Sequence, residues 1–213
     1  MFDDEPSPTP PANERVARRA IVFAALAMRS ELEGEGASTE NVQCQKDMVT
    51  WLAETGANAE VEPLEQQFLE ADIGTLTPKQ TVDRSWEAEA MVVLAWALGL
   101  ADLPPFDRVC QPATVAQALG FWQPNWEALL ATVVRRSEDE VAALANHLFT
   151  VHWRLREFYL HRQPIDFVEV AERTQFGLDP TDLPLIQGDL AVDGRKSHGR
   201  SGESVARVLE HRK

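Results

Sequence analysis

Positive charge, cysteine and tyrosine are all scarce in this 213-residue chain. Lysine and arginine number 20 against 34 aspartates and glutamates, a net charge of −14. Nucleic-acid phosphates need a basic footprint, so no nucleic-acid partner is expected. Anionic membrane surfaces are disfavoured by the same sign. The two cysteines, Cys44 and Cys110, have no metal-ligand spacing, and they read as reduced thiols of a cytoplasmic protein. Long apolar runs are missing as well: the uncharged stretch Ala90–Ala101 is too short to span a bilayer. There is no HExxH, no paired CxxC and no Asp-rich calcium loop, and no cofactor or metal is expected.

What remains is ordinary for a soluble globular domain: 44% hydrophobic and 25% charged residues. Residues 1–12 are acidic and proline-rich, with too little apolar surface to order themselves, and are expected to form a loose tail. Arg15–Arg19 followed by Ala20–Met28 imitates the basic and apolar parts of a signal peptide. An acidic lead precedes it and no small-residue site follows it, so it is read as a domain helix from Asn13 to about Leu32. A second helix is expected from Ser38 or Thr39 to Gly56, and a short third at Pro63–Ala71.

Thr77–Gly99 is read as one organising helix. Thr77, Pro78 and Gln80 form a capping box with proline at the first helical position, and Gly99 supplies the stop. Leu103-Pro104-Pro105 cannot continue a helix. Short helices are expected from Gln111-Pro112 to Leu119 and over Trp126–Val134. Ser137 and Glu140 form a second box, opening a helix to about Arg162 with an apolar stripe of Val141, Leu144, Leu148, Val151, Leu155 and Phe158. Asp166 and Glu169 open another. Leu185–Val192 with Asp193-Gly194 predicts a β-hairpin near residues 185–197. Residues 198–213 read as a flexible basic tail with a short helix. The expected architecture is therefore mainly α, one multi-helix domain over 13–197 with a small C-terminal β-hairpin.

Gly74-Thr75-Leu76-Thr77, Arg84-Ser85-Trp86, Glu89, Leu94-x-Trp96-Ala97-Leu98-Gly99, Leu103-Pro104-Pro105, Arg136-Ser137 with Glu140, and His152-Trp153 together make a tryptophan-centred pattern. The chain resembles, from about Arg15 to Arg195, the bacterial domain of unknown function 4272 family. The resemblance implies a mostly helical soluble domain with no established activity. Relatives continue into a last helix that is matched here only by His211-Arg212.

At 100° per residue Val82, Trp86, Glu89, Val93 and Trp96 share a helix face, which places Glu89 between two tryptophans on the side expected to be buried. A buried carboxylate needs a donor or a cation. It would then be either a general acid/base or ligand anchor, or half of an ion pair with Arg136, Arg154 or Arg156. Asp83 with Glu87 is too poor in oxygen ligands for a divalent metal. His152 reads as a satisfied core histidine, and His147 lies at the wrong spacing to join it. His198-Gly199-Arg200-Ser201-Gly202 lacks the G-x-S-x-G order, and Gly34-Glu35-Gly36 lacks the lysine of a phosphate loop.

The function these residues predict is a non-catalytic protein-interaction or inhibitor-like module. It would bind a basic protein partner through its acidic surface and an aromatic patch of Trp122 and Trp126, or through the hairpin. The alternative is a small-ligand-binding protein or enzyme whose pocket is lined by Arg84, Glu89, His152 and Arg156.

Overall fold

The computed structural model describes residues 10–192. Residues 1–9 of the tail expected over 1–12, the Asp193-Gly194 turn and the basic tail lie outside the described residues. The fold is mainly α with a small antiparallel hairpin. Among the described residues the chain clusters into two compact units: one runs to Leu103 and includes Cys110–Arg136, and the other comprises Pro104–Val109 and the chain from Ser137 on.

The first unit is assembled on α1 (Asn13–Glu35). Its alanines favour helix and leave a low surface that neighbouring helices can approach closely. Ala17, Ala20, Ile21, Ala24, Ala25 and Leu26 are all buried, so the segment that imitates a signal peptide is a core helix. Gly36 ends it at φ 89°. Next, α2 (Thr39–Glu54) starts at Ser38, whose hydroxyl accepts the Asn41 N–H at 3.1 Å. It buries Met48, Trp51 and Leu52. A 3-10 turn at Ala57–Glu60 leads to α3 (Pro63–Glu70), α4 (Pro78–Ser85) and α5 (Glu87–Ala97). The α5 helix lies along α1 and contributes Met91, Val92, Ala95 and Leu98 to the core. Two short helices, α6 (Pro112–Ala118) and α7 (Trp126–Leu130), complete the unit.

Thr77–Gly99 is therefore two helices rather than one. The capping box at Thr77 and the glycine stop are both present, but the chain turns at Trp86 (φ −70°, ψ −12°). The Ser85 hydroxyl donates to the Val82 carbonyl at 2.8 Å, a local bond that competes with a continuing helix. The break shifts the helical phase, and the shared face fails with it. Val82 and Trp86 are 56% and 59% exposed, whereas Val93 and Trp96 are half-buried. The α5 helix closes in a Schellman turn, with Gly99 N–H bonded to Trp96 O and Leu100 N–H to Ala95 O. The helix expected over Trp126–Val134 stops at Leu130, ahead of the β-branched run Thr132-Val133-Val134.

In the second unit α8 (Glu138–His161) opens on the Ser137/Glu140 box, and α9 (Phe167–Arg173) on Asp166, whose carboxylate accepts the Glu169 N–H at 3.0 Å. Val151, Phe158, Phe167, Leu178, Leu183 and Leu190 form its core. The hairpin pairs β1 (Leu185–Ile186) with β2 (Asp189–Leu190). Its turn is Gln187-Gly188 at φ 52° and 80°, inside the segment expected as a strand: two successive positive φ angles are what a tight hairpin turn needs. The turn is pinned from outside as well, because Gly188 O accepts the Phe167 N–H at 2.8 Å.

Candidate functional site

Most of the charged groups with resolved partners in the first unit hold loops in place. Glu65, almost fully buried, receives both arms of Arg19, at 2.6 and 2.7 Å, and the Glu62 N–H at 2.9 Å. Arg84 reaches Glu87 at 3.0 Å and Glu65 at 3.7 Å. Further along α1, Arg29 is fully buried; it binds Glu33 at 2.9 Å and the Ala71 carbonyl at 2.9 Å. Glu33 in turn accepts the N–H groups of Gly74 and Leu76, each at 3.0 Å, so one carboxylate fixes the loop between α3 and α4. Gln45 supplements this by donating to Leu69 O and Ala71 O.

Burial opposes ionisation of both Glu33 and Glu65. For Glu33 it is outweighed by the Gly74 N–H, Arg29 and the Leu76 N–H, and for Glu65 by Arg19, the Glu62 N–H and Arg84, so each carboxyl is held below its ordinary value of 4.5. A depressed folded-state pKa adds stability that is complete above the unfolded value and is lost as pH falls through the folded one. Unfolding free energy is thus expected to be flat near neutrality in these two groups and to drop as pH falls below about 4.5, with Glu65→Gln flattening that drop. Urea titrations at several pH values measure both slopes.

The pocket expected from sequence divides between the units. Arg84 and Glu89 belong to the first. Arg84 lines a cleft of about 550 Å³ with Phe68, Thr75, Leu76, Asp83 and Glu87. Glu89 finds its donor in the backbone: its carboxylate accepts the Cys110 N–H at 2.9 Å, tying α5 to the start of α6. Burial, and then the Glu89 carboxylate, push the Cys110 thiol up to about 11, and its S–H donates to Ala88 O at 3.4 Å. That thiol is no nucleophile at neutral pH. His152 and Arg156 are on α8 in the second unit, and both are exposed, so His152 is not the core histidine expected from sequence: it faces away from the side that buries Val151, Arg154 and Phe158. Arg154, weighed from sequence as a partner for Glu89, pairs instead with Asp189 through two contacts of 2.6 Å. Arg136 stacks over the Trp96 ring at 5.0 Å.

Trp126 is 3% exposed and packs in the core beneath Gly120, so it cannot share a surface patch with Trp122. Trp122 does reach the surface. It stands edge-on to Phe121, at 5.5 Å between ring centres, and Phe121 stands edge-on to Trp51 at 5.2 Å. Its φ is 66°, a left-handed value that is strained for a bulky aromatic residue. Together with Phe121 it walls an apolar groove of about 370 Å³, floored by Met28 and Met91 from α1 and α5 and by Ala116 from α6. Glu31 stands on its rim, exposed.

Sequence reasoning missed the groove as such, because it joins residues from three helices. The one signal it offered was Trp122, an aromatic just after the Gly120 helix stop. It missed the Arg19–Glu65, Arg29–Glu33 and Arg154–Asp189 pairs too. An arginine inside an apolar helix face, as at Arg29 and Arg154, is the mark that could have found two of them.

Among the described residues no group of three histidine, cysteine or acidic side chains could hold a metal ion. No helix among them is long and apolar enough to cross a membrane. The molecule is thus a mainly helical protein in which several buried charged side chains brace loops. It belongs to the family Domain of unknown function (DUF4272), which matches residues 1–174. No curated protein and no solved structure matches the chain.

Proposed function

We propose that this chain is a non-catalytic protein-interaction module, cytoplasmic in location, that takes a basic partner into the groove beside Trp122. The observation that carries the reading is the groove itself. An apolar trough of about 370 Å³ has a half-buried tryptophan as its wall, held in strained backbone, with a carboxylate on its rim. Strain of that kind persists where surrounding structure enforces it, and it concentrates at binding sites. Tryptophan is the side chain most enriched among residues that dominate binding energy. The net charge of −14 favours a partner of opposite sign and speeds its approach. The pocket reading built on Arg84, Glu89, His152 and Arg156 has weaker support, since Arg84 and Glu89 are already engaged with Glu87, Glu65 and Cys110.

Quantitative affinity capture from the native source, with wild type and Trp122→Asn side by side, tests this. Asparagine tolerates the left-handed conformation, so the variant is expected to fold. A basic protein is expected to be captured by wild type, to weaken between 50 and 300 mM salt, and to bind the variant roughly 30-fold less well, about 2 kcal/mol. Identical capture by both proteins would refute the reading.

A further inference from the structure

The stripe on α8 packs over only part of its length. Val151 and Phe158 are buried in the second unit's core, but Val141, Leu148, Phe149, Tyr159 and Leu160 are exposed, Phe149 at 48% and Tyr159 at 74%. These five large apolar side chains on a single helix exceed the scattered exposure a monomer normally shows. Of these, Phe149 sits in a regular seam, with Val141, Leu148 and Tyr159 flanking it on one side. Glu138, Ala142, Ala145, Phe149, His152 and Arg156 follow one another at steps of four and three, and every one of them is exposed. Alternating fours and threes are the spacing that lets one helix lie along another.

The order of residues in the seam specifies its occupant. It starts at an acid, Glu138, in the acidic first turn of α8, and ends at a base, Arg156. Folded back antiparallel on a second copy about its midpoint near His147, the seam is self-complementary. Glu138 then meets Arg156 of the other copy, Ala142 meets His152, and Ala145 meets Phe149. Each large side chain falls opposite a small one, both ends carry opposite charges, and the two helix dipoles run antiparallel. A parallel arrangement would oppose acid to acid and Phe149 to Phe149. An isologous two-fold pairing needs this kind of self-complementary patch. We propose that the chain forms a homodimer through antiparallel pairing of α8 along the seam from Glu138 to Arg156.

Sedimentation equilibrium of the full chain tests it. Wild type is expected at twice the 23.8 kDa monomer mass at micromolar concentration. Phe149→Asp is expected to sediment as a monomer with an unchanged far-ultraviolet circular dichroism spectrum. Arg156→Glu alone is expected to raise the dimer dissociation constant at least tenfold, and Glu138→Arg with Arg156→Glu to bring it back, because the swapped charges again pair across the two-fold. These two positions are exposed, so the charge swap reads pairing rather than folding. A wild type that stays monomeric to 100 μM overturns the proposal; so does a dimer that Phe149→Asp leaves intact, or a double reversal that fails to restore what Arg156→Glu loses. A monomeric wild type whose melting temperature falls on Phe149→Asp would mean that the chain covers this face itself.

Discussion

Arg154→Met is expected to remove about 3–5 kcal/mol from the stability of the second unit, the cost of leaving a buried carboxylate without its cation. The Arg154 side chain is fully buried, and Asp189, 3% exposed, is its partner through two bonds of 2.6 Å. Arg154 also donates to Gln163 O at 3.1 Å, and Asp189 accepts the Leu190 N–H at 2.8 Å. The pair therefore joins the middle of α8, the loop before α9 and strand β2. A two-residue ladder cannot hold a hairpin by itself. What holds this one is the ion pair, the Gly188–Phe167 bond and the burial of Leu190. Urea unfolding of Arg154→Met, compared with Arg154→Met/Asp189→Leu, measures the effect. The double variant is expected to recover part of the loss, since it removes the stranded charge, while the Leu190 N–H still lacks its acceptor. Equal stability of Arg154→Met and wild type would contradict this account of the hairpin. The family match ends at residue 174, so Arg154 lies inside it and Asp189 beyond it.

Gly99→Ala is expected to cost about 2–4 kcal/mol in the first unit. The position has φ 71°, and a Cβ there would sit 2.5 Å from the Val134 carbonyl oxygen. Both penalties act together: a left-handed alanine, and a backbone oxygen that has to move. That oxygen cannot move freely, because two residues on the Arg136 N–H donates to Ala97 O at 2.9 Å and the Arg136 guanidinium lies over Trp96. The Gly99 stop is thus a joint between the end of α5 and the irregular segment before α8, as well as a helix cap. Gly34→Ala, with nothing within 4 Å of the added carbon, is the control that should change stability little.

The elements that could be read from sequence were those with local causes. Ser38, Thr77, Ser137 and Asp166 each cap the helix that their spacing announces, since a cap is decided within four residues. The break at Trp86 escaped because the capping signals at Thr77 and Gly99 are equally compatible with one helix or two. The hairpin register escaped because Gln187-Gly188 is a weaker turn signal than Asp193-Gly194. What selects it is tertiary: Asp189 is drawn to Arg154, and Gly188 to Phe167. Several motif residues behind the family resemblance are engaged with neighbours: Gly74 and Leu76 hold Glu33, Arg84 holds Glu65 and Glu87, and Glu89 holds Cys110. Their tryptophan-rich spacing could not distinguish loop bracing from a ligand site. Periodicity marks the apolar stripe on α8 but not that Val141 and Leu148, at its N-terminal end, stay exposed while Val151 and Phe158 are buried.

On the proposed function, binding belongs to the Trp122 groove rather than to the polar residues that carry the resemblance. Hydrogen–deuterium exchange of the full chain, free and saturated with the captured basic partner, tests it most directly. The account predicts slowed exchange in residues 24–31 and 113–123, which line the groove, with residues 74–89 unchanged. Protection confined to residues 74–89, with the groove exchanging as in the free protein, would contradict it.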